Sequence, residues 1–221
     1  MNGQTRARFC LGATLLLAAA SAVADVKETE EFTFEVDRGA RLSLENINGS
    51  IEITGGSGSK VDIVARKKAG KQEYMDDLRV VIDADSDYVR IETRHPDSEG
   101  GWFKWGNNSS GSVSYELTVP ADMNLDAIET VNGSVRAEFE TLGDGQRVNA
   151  EAVNGKIVLV LPANASARIE AETVNGSIDA DDFGLEAEKG FVGRDLSGRI
   201  GDGDARISLD TVNGSIRINK R

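Results

Sequence analysis

Glu172-Thr173-Val174-Asn175-Gly176-Ser177-Ile178 repeats, with one change at its last residue, the segment Glu129-Thr130-Val131-Asn132-Gly133-Ser134-Val135. The same frame recurs at Asn48-Gly49, Asn154-Gly155 and Asn213-Gly214, and in weaker form at Ser197-Gly198. From the first copy to the last the spacings are 84, 22, 21, 22 and 16 residues. An aliphatic residue precedes every copy: Ile47, Val131, Val153, Val174, Leu196 and Val212. Three places after the Asn or Ser stands a β-branched one: Ile51, Val135, Ile157, Ile178, Ile200 and Ile216. A fixed frame at near-constant spacing is the mark of a repeat architecture.

Asn-Gly is the preferred pair where two successive residues need positive φ, so each copy marks a tight reversal or corner. A two-residue hairpin would give an antiparallel β-sandwich of hairpins. It would set Glu45 opposite Glu52 and Glu172 opposite Asp179, and like charges across a ladder repel. A corner between two strands of a solenoid resets the alternation, so that both aliphatic flanks point inward. Coils of 21–22 residues then stack as a parallel β-solenoid, about 4.8 Å apart, with like residues in ladders. Corner asparagines are expected to hydrogen-bond along such a ladder. The acids three places upstream, Glu45, Glu129, Glu151, Glu172 and Asp210, are expected to stack and repel, with Arg194 in the divergent copy.

Outside the corners the chain still alternates with period two, as in Phe32/Phe34/Val36 and Val113/Tyr115/Leu117/Val119, the pattern of half-buried strands. Only Met75–Val81 has a helical alternative. Residues 25–125 carry a single corner and are expected to be less regular, with antiparallel pairing that caps the solenoid coils of 126–221.

Residues 1–24 have the form of a secretory signal. Arg6 and Arg8 precede an apolar run from Leu11 to Ala20, and Ala22-Val23-Ala24 offers the small-residue cleavage pattern before Asp25. The run is shorter than the roughly 20 residues of a membrane span. Cys10 is the lone cysteine and lies within this leader, so residues 25–221 hold no thiol for a disulfide, a metal or a nucleophile. Loss of the leader moves the net charge from −12 to −14. Such acidity speaks against nucleic acid and is compatible with cations, basic partners or simple solubility. The expected location is export, to the periplasm first, with the cell surface or medium as alternatives.

With Tyr115-Glu-Leu-Thr-Val-Pro-Ala121 and the two Glu-Thr-Val-Asn-Gly-Ser segments in view, the chain resembles the bacterial adhesin-like domains, exported β-strand-repeat proteins of unknown function. The resemblance spans roughly residues 40 to 219. It implies a right-handed, β-helix-like fold and brings no catalytic residues with it.

Two places hold candidate chemistry. The acids Glu129, Glu151 and Glu172, with Asp202 and Asp204 in Gly-Asp-Gly-Asp, are candidate oxygen ligands for Ca²⁺, although none follows a calcium-loop spacing. The alternative is a solvated acidic face, with no cofactor at all. Both tryptophans stand in Gly-Gly-Trp102-Phe103-Lys-Trp105-Gly, a loop that can bind a sugar or protein partner, or else plug an end of the solenoid. For catalysis the signals are poor, since His95 is the lone histidine and no serine sits in a nucleophile elbow. An enzyme acting on polysaccharide is the remaining catalytic alternative. The expected function is therefore binding of an envelope component or protein partner, with a structural or envelope-stress accessory role as the alternative. The Asn-Gly-Ser sites at 48, 132, 175 and 213 match the glycosylation pattern as by-products of the corner.

Overall fold

The computed structural model describes residues 25–96, 111–190 and 193–221. Its elements run β1 (Val26–Glu35), β2 (Arg41–Asn48), β3 (Ile51–Gly56), β4 (Lys60–Ala69), α1 (Gln72–Asp77), β5 (Arg79–Asp85), β6 (Tyr88–Arg94) and β7 (Gly111–Pro120). There follow β8 (Asn124–Asn132), β9 (Val135–Phe139), β10 (Arg147–Asn154), β11 (Ile157–Leu161), β12 (Ala167–Asn175) and β13 (Ile178–Asp179). A 3₁₀ turn at Asp181–Phe183 leads to β14 (Glu188–Lys189), β15 (Arg194–Ile200), β16 (Ala205–Asn213) and β17 (Ile216–Lys220).

Every Asn-Gly copy sits where the chain leaves one sheet for the other. The strands before the corners belong to a nine-stranded sheet, β14-β15-β12-β16-β10-β8-β2-β6-β5, and those after them to an eight-stranded sheet, β1-β4-β7-β3-β9-β11-β17-β13. No corner joins two paired neighbours, so hairpins are excluded and the fold is a nearly all-β, solenoid-like stack of two mixed sheets. Strands flanking the corners pair in parallel, in register, corner upon corner. Inward residues form apolar rows such as Val89-Leu42-Leu125-Val148-Ile207-Ile169, all at most 2% exposed. Antiparallel pairing is concentrated at the start of the chain, where β1, β4 and β7 pair and β5 closes on β6. Tyr115 on β7 and Thr93 on β6 join the sheets through the core by a 2.7 Å hydrogen bond between hydroxyls. Burial pushes the Tyr115 phenol well above its ordinary range.

Four expectations need correction. The coils do not stack in chain order, because β16 inserts between β10 and β12, and β17 between β11 and β13. Ser197-Gly198 is no corner: it lies inside β15, which runs antiparallel to β12 on the side away from the inserted β16. The helix occupies Gln72–Asp77, ahead of the apolar Leu78–Val81 stretch that becomes turn and strand. Finally, the aliphatics upstream of the five Asn-Gly corners point outward, Val174 and Val212 being 44% and 41% exposed, whereas Leu196 of the divergent copy is buried. Alternation runs unbroken up to the corner, so the buried position is two places before the Asn, at Asn46, Thr130, Ala152, Thr173 and Thr211. The corner resets the pattern only after the Asn.

The glycines have a different reason from the one the dipeptide suggests. Of the five corner glycines only Gly49 has positive φ, at 125°. What they share is close approach of the next coil. A Cβ on Gly133 would lie 2.0 Å from the Gly49 carbonyl oxygen, one on Gly214 1.8 Å from that of Gly155, and one on Gly176 1.7 Å from that of Gly214. Beside them the asparagine side chains form one directional ladder. Asn175 Nδ2 donates to Asn213 Oδ1, Asn213 to Asn154, Asn154 to Asn132 and Asn132 to Asn48, at 2.8–2.9 Å throughout. Asn48 Nδ2 ends the chain of bonds on the Gly111 carbonyl at 3.3 Å. β6 and β7 are the strands of this terminal coil, and Trp102, Phe103 and Trp105, which come between them in sequence, lie outside the described residues.

Candidate functional site

The outer face of the nine-stranded sheet carries the most organised chemistry of the described residues. Register copies each corner motif onto the next strand, so outward positions become bands across the sheet. One band is acidic on eight consecutive strands: Glu92, Glu45, Glu129, Glu151, Asp210, Glu172, Asp195 and Glu188. The sequence identifies five of these. Asp195, rather than Arg194, occupies the position in β15, because that strand is antiparallel and out of the repeat frame.

Two residues further toward the corner lie the outward aliphatics Ile47, Val131, Val153, Val212 and Val174. On the other side come small or polar residues, Ser43, Asn149, Ser208, Glu170 and Ser197. Beyond these runs a basic band. Arg199, Arg168, Arg206 and Arg147 are in register on four neighbouring strands, with Arg41 further along. The basic band went unread in sequence because the arginines lie far ahead of the Asn-Gly signal, and the inserted strand order brings them together.

Among the described residues, intrachain ion pairs fall on this pattern from β6 to β10 and leave the β16, β12 and β15 part uncovered. Arg90 pairs Glu45, Arg94 pairs Glu92, Arg147 pairs Asp126 and Arg41 pairs Asp87. Among the described residues Glu129, Glu151, Glu172, Arg168, Arg199 and Arg206 have no salt bridge. Desolvation first, and then the charges of Glu151 and Glu45, hold the Glu129 carboxyl above its usual range. Asp210 is raised in the same way by desolvation and by Glu151, Glu172 and Glu170, against the opposing Ser208 hydrogen bond.

A carboxylate whose folded pKa lies above its unfolded one favours the fold below the unfolded value, and that contribution is lost as pH rises through the folded value. Above the folded value both groups carry their charge and the repulsion is complete. Asp210→Asn and Glu129→Gln are therefore expected to raise the unfolding free energy measured in urea at pH 7, each by about 0.5 kcal/mol once screening of these half-exposed groups is allowed for. The gain should vanish at pH 3.5. Equal gains at both pH values would show that charge is not the cause.

The calcium candidates are divided by the fold. Glu129, Glu151 and Glu172 lie in the acidic band, whereas Asp202 and Asp204 sit on the turn before β16, which Ser166 organises. Its Oγ accepts from the Asp202 and Gly203 amides at 2.9 and 3.0 Å and donates to the Asp204 carboxylate at 2.8 Å. Among the described residues no group of three or more His, Cys, Asp or Glu converges on a metal position. His95 is buried, with Nδ1 2.8 Å from the Tyr74 hydroxyl. A groove of about 460 Å³ is lined by Arg38, Gly56–Gly58, Ala121, Asp122 and Thr141–Gly143. Its single carboxylate, Asp122, is already paired with Arg38 at 3.3 Å, where glycoside cleavage uses two carboxyl groups. No helix among the described residues is long and apolar enough to cross a membrane.

Corner-stacked sheets with register-built bands define a β-solenoid repeat protein. Residues 33–219 match the Toastrack DUF4097 family, and the chain belongs to it. No curated protein matches the chain. Among solved structures, a "putative cell adhesion protein" from Clostridium sporogenes is similar at 16% identity, covering 87% of this chain and all of the other, with a TM-score of 0.49. A "putative adhesin" from Bacteroides fragilis is similar at 11% identity, covering 86% of this chain and 96% of the other, with a TM-score of 0.27.

Proposed function

We propose that this chain is an exported, non-catalytic binding protein of the bacterial envelope, adhesin-like in the sense of its family, which docks a partner on the outer face of the nine-stranded sheet. The observation that carries this reading is the banded face itself. Unpaired charges of both signs, fixed in register on a rigid sheet, form a surface whose electrostatic complement lies on another molecule. The leader-like residues 1–24 support export. The family match and the adhesin-like neighbours are consistent with a surface or periplasmic location.

The test is crosslinking in living cells from a photoreactive residue at Ser197, within the bands, against one at Thr33 on the opposite sheet. The reading expects a specific adduct from position 197 that disappears when Arg168 and Arg206 are reversed to Glu. Equal labelling from both positions, or an adduct indifferent to the reversal, sinks it.

A further inference from the structure

The acidic and basic bands stand four residues apart along the same strands, about 13 Å at a strand's rise. On β12 the pair is Glu172 and Arg168, on β16 Asp210 and Arg206, on β10 Glu151 and Arg147, on β15 Asp195 and Arg199, and on β2 Glu45 and Arg41. Between them runs the row Ser43, Asn149, Ser208, Glu170 and Ser197, mostly short side chains that permit close approach.

A purely cationic partner would leave the arginines facing like charge, and a purely anionic one would leave the carboxylates so. Both bands are matched by a surface that carries the same two bands in reverse order. A two-fold axis lying along the short polar row generates such a surface from this face. It lays each strand over its own copy reversed, so that Glu172 meets Arg168 of the second copy and Asp210 meets Arg206, each pair occurring twice. An axis parallel to the strands would instead set acid on acid. Isologous contact of this kind is the commonest symmetry of soluble oligomers. Seven strands about 4.8 Å apart, each giving seven residues of about 3.3 Å, offer roughly 800 Å² per copy, the size of a standard specific interface.

Resting on the reading of this face as a docking surface, we infer that its partner is a second copy of the chain, and that the protein forms a two-fold dimer through the outer face of the nine-stranded sheet. Glu170 on β12 and Arg90 on β6 lie on the axis, and each meets its own copy as a like-charge contact. The aliphatic band lies at the rim.

Sedimentation equilibrium of protein purified from cells expressing the full chain tests this. Two charge-reversed variants are needed, Arg168→Glu/Arg206→Glu and Glu172→Arg/Asp210→Arg. All four positions are exposed or half-exposed, and an unchanged circular dichroism spectrum with a cooperative urea transition establishes that the variants are folded. Each variant alone is expected to dimerise at least about a hundred-fold more weakly than the parent, since like charges then face one another. An equimolar mixture restores all four pairings and is expected to associate within about ten-fold of the parent. A parent that stays monomeric at 100 μM overturns the inference, as does a dimer that neither variant weakens, or a mixture that fails to recover. If the parent is monomeric while the crosslink from position 197 goes to another envelope protein and still depends on the bands, only the second-copy assignment falls. If that crosslink is absent as well, the docking reading falls with it.

Discussion

Gly155→Ala is expected to destabilise the protein by about 3 kcal/mol or more, beyond what one added methyl costs in most cores. Its Cβ would stand 1.6 Å from the Gly133 carbonyl oxygen and 2.6 Å from the carbonyl carbon. Both are backbone atoms, so no rotamer change relieves the contact and the coils must part. Parting them stretches the bond from the Gly133 amide to the Asn154 carbonyl, 3.2 Å, and that from Asn154 Nδ2 to Asn132, 2.9 Å. On the other side the Gly155 amide donates to the Asn213 carbonyl, and its own carbonyl accepts from the buried Thr211 hydroxyl. Gly143→Ala is the control. Its Cβ would meet nothing nearer than Gln146 Oε1 at 3.6 Å, and its φ is not positive, so a change within about 1 kcal/mol is expected. Urea unfolding of the two variants beside the parent decides it, and equal midpoints would refute the stacking account.

That result would bear on how the corner is read from sequence. Asn-Gly marked the right places but for a secondary reason, since the dipeptide signals positive φ and four of the five corner glycines do not have it. Stacking of coil on coil excludes the Cβ, and it becomes visible only when identical corners are known to lie on top of one another. The outward position of Val131 and Val174 was hidden for a related reason. Aliphatic residues are ordinarily assigned to the interior, whereas here alternation gives the interior to Thr130 and Thr173, and Thr173 and Thr211 use their hydroxyls to bind the neighbouring coil's glycine carbonyl. The parallel register of Glu129, Glu151 and Glu172 was legible because it follows from the repeat frame alone. The basic band was not. Arg199 reaches it through an antiparallel strand, and Arg206 through an insertion that breaks chain order, both consequences of long-range pairing that local spacing does not encode.

Chain order is broken at the place where the stack would otherwise end in a bare coil. By entering between β10 and β12, the β16–β17 coil covers both of its faces with parallel neighbours, and β15 with β14 is left to finish the nine-stranded sheet. The opposite end is finished by antiparallel strands, β5 on one sheet and β1 with β4 on the other. A repeat protein needs such atypical ends because its inner coils contact only their neighbours. The long β1 edge, Val26–Glu35, presents Lys27, Glu28, Glu30 and Glu31, charges of the kind that discourage edge-to-edge pairing.

Lys67 ties that end together, and Lys67→Ala is expected to cost about 3 kcal/mol, in the range for removing one partner of a buried charge cluster. Its side chain is 6% exposed, and Nζ donates to Glu30 at 2.8 Å and to the Leu78 carbonyl at 3.0 Å and forms an ion pair with Glu28 at 3.2 Å. Removing it leaves two carboxylates two residues apart on β1 without their counter-ion, and leaves the end of α1 without its donor. The alternation that revealed the core misreads this position, because Lys67 faces inward in register with Val113 on β7 and Glu28 on β1. Lys67→Met restores the apolar volume but not the charge and should recover part of the loss. Adding Glu28→Gln and Glu30→Gln to Lys67→Met should recover more, since the two carboxylates no longer repel. If the triple variant is no more stable in urea than Lys67→Met alone, the uncompensated carboxylates are not what destabilises the single variant, and the loss belongs to packing of α1 against β4.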